Sequence, residues 1–250
     1  MIKGFDIFKE FFHDFNDQYV IIGGAACDII FDDYNLSFRA TKDIDMVLIV
    51  EALTPEFGKR FWEFIDTGEY ENKAKSSDVP QFYRFDKPQK PGFPFMIELF
   101  ARSDSLLDDN SHVCRPLHFG EEISSLSAIL LNTDYYQLLL DGRELVSDVP
   151  VLPNTHIILF KIKAWLDLSS RKAMGQPIAG SDIRKHKNDV ARLSALLTGN
   201  ESIVIPTSIL NDLNEFLEVF EREPPDLKSL NIPGVTTNDI INLLQKIFHD

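Results

Sequence analysis

An α+β fold, with a mixed sheet flanked by helices and then a helical C-terminal domain, is predicted by three observations. Short β-branched and aromatic runs, punctuated by glycine turns, alternate with helical segments up to Leu152. From Asn154 onward the pattern becomes long helical periodicity alone. The chain has 250 residues, 44% of them hydrophobic, which is enough to bury a full core as one large domain or two of modest size. The predicted boundary falls near Pro153, with a mixed domain over 1–153 and a helical domain over 154–250.

Asp6 to Phe15 places Ile7, Phe8, Phe11, Phe12 and Phe15 on one helical face, which predicts a helix packed on the following sheet. Tyr19 to Ile22 is a short strand ending at Gly23-Gly24, and Ala25 to Phe31 is a helix. Ile44 to Val50 is a second strand, and Glu56 to Ile65 a helix with Phe57, Phe61, Trp62 and Ile65 inward. Two further strands are predicted at Gln81 to Phe85 and Pro94 to Ala101. Ile129 to Leu131 and Tyr135 to Leu140 admit a strand reading, with Asp141-Gly142 as a hairpin turn before Arg143 to Val146. Helices are then predicted at Ile157 to Leu168, Asp182 to Leu197, Ser208 to Phe220 and Asn238 to Phe248. No internal repeat or low-complexity tract interrupts this order.

No apolar run reaches the roughly 20 residues that span a bilayer, and charges interrupt the N-terminal segment, so the expectation is a soluble cytoplasmic protein without a membrane partner. Cys27 and Cys114 lie far apart without metal-ligand spacing and read as small buried residues in a reducing compartment, with no disulfide and no zinc expected. The net charge of −14 argues against a surface that grips nucleic acid throughout. Lys161 to Arg192 nevertheless carries eight Lys or Arg against three Asp, a local +5 that leaves −19 for the rest. Such a concentrated basic element suits either a phosphate-facing surface or a solvated helix face.

The chemistry is densest between Tyr19 and Val50. Asp43 and Asp45 flank Ile44 at the start of a strand, so both carboxylates project from one face. A glycine pair after a strand lets backbone approach a polyphosphate, and the next helix offers its first amides to negative charge. Glu98 lies at the centre of the apolar strand Phe95 to Phe100, where an ionised group needs a partner, and a metal ion is one such partner. Gly23-Gly24 is also explained by a tight turn alone, and Asp-x-Asp recurs at exposed strand ends without any ligand.

In combination these residues resemble the nucleotidyltransferases of the DNA polymerase β-like superfamily, specifically the AbiEii-like toxin group. The resemblance rests on Gly23-Gly24, the string Arg39-Ala40-Thr41-Lys42-Asp43-Ile44-Asp45, and Glu98 on a later strand. Lys161 in ILFKIKAWLDL and Lys185 with Asp189 in RKHKNDVARL extend it, so that it covers about residues 19 to 195. Gly24 and Asp43 stand 19 positions apart, a longer spacing than in minimal members.

The resemblance implies a nucleotidyltransferase-type sheet and an Mg²⁺-dependent enzyme that moves a nucleoside monophosphate from a nucleoside triphosphate to an acceptor hydroxyl. It implies that Asp43, Asp45 and Glu98 are the catalytic acids and magnesium ligands. It assigns Gly23, Gly24, Arg39, Thr41, Lys161, Lys185 and Asp189 to nucleotide binding, with Asp189 positioning Lys185 four residues away on the same helical face. Lys161 and Lys163 cannot share one face, which leaves open the choice between them. The toxin group further implies an RNA acceptor such as tRNA and a cognate antitoxin protein. An acidic chain also suits a cationic small acceptor of the aminoglycoside type, and a non-catalytic nucleotide-binding or protein-binding member of the fold is a third reading. His186 reads as a surface histidine, and Trp165 and the Phe-rich first helix as core.

Overall fold

A computed structural model of the chain describes residues 2–39, 41–71, 84–102, 107–108, 113–114, 129–130 and 132–250. The chain divides into two compact units, one of Met1–Leu130 with Gly142–Pro153 and one of Leu131–Asp141 with Asn154–Asp250.

The first unit is built on a mixed six-stranded sheet in the order β3-β4-β2-β1-β8-β7. Its strands are β1 Tyr19–Ile22, β2 Asp43–Leu48, β3 Arg84–Asp86, β4 Met96–Ala101, β7 Glu144–Val146 and β8 Val149–Val151, while β5 Leu107–Asp108 and β6 Val113–Cys114 pair separately. Residues 81–83 and Ala40 lie outside the described residues, so the strand expected from Gln81 is described only from Arg84. β2 runs parallel to β4 and antiparallel to β1.

Alternation sorts the side chains onto two faces. Tyr19 pairs with Leu48 and Ile21 with Met46, all fully buried. Against this face pack α1 (Phe5–Phe12) and α3 (Pro55–Gly68), whose rings close on Tyr19: Phe8 edge-on at 5.9 Å and Phe57 at 6.4 Å. Phe12 reaches Phe57, Phe61 and Phe64, so the Phe-rich first helix forms core, as its spacing predicts. The helix α3 begins where Thr54 Oγ1 accepts the Phe57 amide and Pro55 takes the first helical position, which needs no amide donor. On the opposite face, Val20 pairs with Val47 and Ile22 with Asp45, and α2 (Gly23–Asp33) lies against β1 and β2. Cys27 is buried in α2; the Cys114 side chain lies outside what is described.

One segment departs from expectation. Tyr135 to Leu140, read as a strand, belongs to α4 (Thr133–Gly142), and Ile129 and Leu130 are helical too, with Leu131 outside the described residues. Tyr135, Tyr136, Leu138 and Leu139 are the buried positions, a helical spacing, and the Asn132 side chain accepts the amides of Asp134 and Tyr135 as an N-cap. Asp141-Gly142 therefore ends a helix. The hairpin turn is Ser147-Asp148, both at positive φ (51° and 65°), as a two-residue turn between twisted strands requires.

The second unit holds α4, α5 (Asn154–Ala173), α6 (Gly180–Ser194), α7 (Thr207–Arg222) and α8 (Thr237–Ile247), with a short parallel pair, β9 Ile203–Val204 and β10 Phe248–His249. The long helix α5 packs on both α6 and α7. Trp165 sets its ring edge-on against Phe216 at 5.4 Å, which places it in the core. Lys163 and the Tyr135 hydroxyl converge on Asp212 of α7, at 2.8 and 3.0 Å, and tie three helices together. The last helix opens on a capping box between Thr236 and Asp239. Among the described residues no helix is long and apolar enough to cross a membrane.

At the start of α5, burial pushes the His156 imidazole down to about 4 from its usual 6.5, against a smaller upward pull from Asp141. The folded state thus holds this ring neutral where the unfolded chain would protonate it. Its contribution is complete above pH 6.5 and is lost as pH falls towards 4, by roughly 3 kcal/mol at most. Urea unfolding at pH 7 and pH 4.5 should show a stability difference that shrinks in His156→Leu; an unchanged difference would mean that other groups dominate the acid response.

Candidate functional site

The C-terminal end of β1 and the N-terminal halves of β2 and β4 meet at one place, and strand register decides which side chains face each other there. Ile22 pairs with Asp45, Asp45 with Glu98, and Asp43 with Met96. Asp43, Asp45 and Glu98 therefore share the sheet face that carries α2, and all three are half-buried. Ile44, Ile97 and Phe85 project to the other face and are fully buried, which pins the register.

The glycine pair brings the start of α2 onto these acids. Gly23 has φ of 69°, and a Cβ there would stand 2.0 Å from Asp45 Oδ2, so both the conformation and the space demand glycine. At Gly24 a Cβ would meet Thr41 Oγ1 at 2.8 Å and Arg39 Nη2 at 3.6 Å. Five predicted residues, Gly23, Gly24, Arg39, Thr41 and Asp45, thus gather around one helix N-terminus that has no side-chain cap and no acid in its first turn. Arg39 is steadied by its neighbour Phe38, which lies 5.5 Å beneath the guanidinium and packs on Phe31 of α2. An open helix terminus with an arginine and a hydroxyl beside it favours anionic oxygen.

Glu98 has a different partner from the one expected. Arg84, directly opposite on β3, donates from Nε to Glu98 Oε1 at 2.5 Å, with Nη2 at the same distance from that oxygen. The half-buried carboxylate is thereby neutralised by protein, while Oε2 takes no bond among the described residues. Nothing local in FYRFD distinguishes Arg84; only the antiparallel register sets it against Glu98.

Asp43, Asp45 and Glu98 supply hard, anionic oxygen of the kind that suits magnesium. Among the described residues, however, no three His, Cys, Asp or Glu side chains are gathered closely enough to hold a metal ion by themselves. The three acids expected from the sequence to ligate a metal together are therefore not gathered into such a group.

In the second unit the expected pairing of Lys185 with Asp189 does not form. Asp189 is fully buried and instead meets Lys161 at 3.2 Å and Arg192 at 3.6 Å, while Lys185 is exposed. The reason is the packing of the helices: α5 lies against α6, and Lys161 and Asp189 are buried together between them. Lys163, two residues on, turns to Asp212. His186, expected at the surface, is half-buried with its Nδ1 enclosed.

Two substitution series check these assignments. Gly23→Ala should cost about 1–3 kcal/mol from positive φ alone and push Asp45 aside, whereas Gly24→Ala, meeting a movable hydroxyl, should cost less; urea midpoints of the pair measure this. Lys161→Met leaves Asp189 buried with a weaker set of partners and should destabilise by up to about 3–5 kcal/mol, while Lys185→Met should stay within about 0.5 kcal/mol. Equal effects in the second pair would remove the distinction drawn between the two lysines.

Compared with known proteins, the chain matches no family model, no curated protein and no solved structure.

Proposed function

We propose that this protein is a magnesium-dependent nucleotidyltransferase whose reaction centre is the Asp43, Asp45 and Glu98 face of the sheet together with the open start of α2. The observation that carries this reading is the convergence of Asp45 and Glu98 in register with a glycine-opened helix N-terminus lined by Thr41 and Arg39. Each part matches a need of nucleotidyl transfer: carboxylates for a divalent ion, backbone amides and a guanidinium for phosphates, and no nucleophilic side chain.

In this reading the N-terminal amides of α2, the Thr41 hydroxyl and the Arg39 guanidinium receive the triphosphate oxygens. Gly23 and Gly24 keep that approach clear of side chains. Asp43 and Asp45 would hold magnesium, which supplies charge neutralisation at the phosphates and at both oxygens of an in-line displacement. An acceptor hydroxyl forms a bond to the α-phosphorus as the α–β phosphoanhydride bond breaks; pyrophosphate carries away the electron pair and the hydroxyl proton passes to Glu98 Oε2 or water. Arg84 positions Glu98 by holding its other oxygen. Lys161 and Asp189 serve stability as each other's buried partners. An RNA hydroxyl is the preferred acceptor, on the strength of the toxin-group resemblance, and an antitoxin partner follows from the same resemblance.

A nucleotide-binding protein without transfer is the second reading, favoured by the Arg84 fork that already neutralises Glu98. Incubation with each α-³²P nucleoside triphosphate, Mg²⁺ and total RNA separates the two. Label on RNA should require Mg²⁺ and fall at least about 100-fold in Asp43→Asn/Asp45→Asn. Nucleotide binding without label on RNA, or on an aminoglycoside offered in a parallel reaction, would favour the second reading.

A further inference from the structure

The basic stretch of the second unit folds into a cleft lined by that unit's own helices. The C-terminal half of α5 contributes Trp165, Ser169 and Lys172, one stripe of that helix, and the first two turns of α6 contribute Gly180, Arg184 and Lys187; the cleft is open to solvent, with a volume of about 410 Å³. Glu223, beyond the end of α7, closes one side and accepts the Lys187 ammonium on its backbone carbonyl at 2.7 Å.

Two cations converge here without an acid between them. A Cβ on Gly180 would stand 3.3 Å from Lys172 Nζ and 3.7 Å from Arg184 Nη1, so the two charges approach one point from opposite helices. Among the described residues neither takes an ion pair or a hydrogen bond. Their neighbours on α5 behave otherwise, since Lys161, Lys163 and Arg171 each meet an aspartate. In a chain of 39 acidic residues and net charge −14, partners for two more cations are plentiful, and like charges held this close repel unless an anion joins them.

Gly180 adds a second sign. Its φ is not in the positive region, so the backbone does not call for glycine; what its missing side chain provides is room where the cations meet. It opens α6, whose N-terminus has no side-chain cap, although Asp182 in the first turn offsets part of the helix-end charge. Ser169 offers a hydroxyl, and Trp165 walls the cleft with an aromatic ring. The volume suits a phosphate group together with the sugar or base that bears it.

We propose that this cleft is a phosphate-binding site, with Lys172 and Arg184 gripping one phosphate group and Lys187 at its edge. It stands independently of the reading given to the sheet face. The shared chemistry is phosphate, from either a free polyphosphate or the backbone of single-stranded RNA.

Trp62 and Trp165 are the two tryptophans of the chain, so Trp62→Phe in the full-length protein leaves a single reporter inside the cleft. Titration with inorganic pyrophosphate and, separately, with a 12-nucleotide single-stranded RNA should give a saturable change in Trp165 fluorescence with at least one probe. Lys172→Gln/Arg184→Gln, both at exposed positions, should weaken that binding at least tenfold with an unchanged melting temperature. For RNA it should flatten the slope of log K against log salt by roughly 1.4, about 0.7 per lost contact. Lys228→Gln, an exposed lysine outside the cleft, should change neither. Response to pyrophosphate identifies a small-phosphate site, and response to RNA alone a polynucleotide track. Silence with both probes, or binding whose affinity and salt slope survive the double substitution, overturns the proposal.

Discussion

The register of β2 between β1 and β4 is the constraint on which the candidate site depends. It sets Ile22 against Asp45 and Asp45 against Glu98, and a shift of β2 by one residue would send Asp43 and Asp45 to the face packed by α1 and α3, away from Glu98. What holds the register is apolar: Ile44, Met46 and Leu48, fully buried, can point only towards the aromatic layer built by Phe8, Phe12, Phe57 and Phe61. The core thus acts on the site indirectly, by deciding which side of the strand is left to the acids. Gly23 completes the arrangement, because only a residue without Cβ lets the helix begin this near the Asp45 carboxylate.

Both units solve the same electrostatic problem, that of keeping charge away from water. Glu98 is matched by an arginine fork from the next strand, and Asp189 by Lys161 and Arg192 from two helices. Inside a protein, an ionised group left alone would cost far more than the pairing recovers, so partners on neighbouring elements become part of the fold. The two cases differ in access. Asp189 is fully enclosed, whereas Glu98 is 14% exposed in its side chain and keeps one oxygen unengaged among the described residues.

Much of the fold was legible because periodicity and punctuation agree. The glycine pair after Tyr19–Ile22 marks a strand-to-helix junction, and the Phe spacing of the first helix marks its buried face. Tyr135 to Leu140 misled because a short run of tyrosines and leucines satisfies strand propensity as well as helical burial. Asn132, three residues upstream of Tyr135, was the local signal for a helix start, and Ser147-Asp148 carried the turn that Asp141-Gly142 was expected to make. In the second unit, the spacing of Lys185 and Asp189 suggested that Asp189 positions Lys185 on one helical face, yet the side that α6 turns inward is chosen by its packing on α5.

By itself, the sequence determined the character of the elements and the nearness of Gly23, Gly24 and the Asp43-Ile44-Asp45 triplet, because these follow from short-range geometry: the two-residue repeat of a strand, the glycine requirement of a tight junction, and the helical repeat of apolar residues. Tertiary structure alone decided that Arg84 faces Glu98, that Arg39 and Thr41 meet Gly24, that Asp189 belongs to Lys161, and that Lys172 and Arg184 converge over Gly180. These are contacts between residues far apart in the chain or on different elements, and their geometry comes from sheet register and helix packing, which no local window of sequence contains.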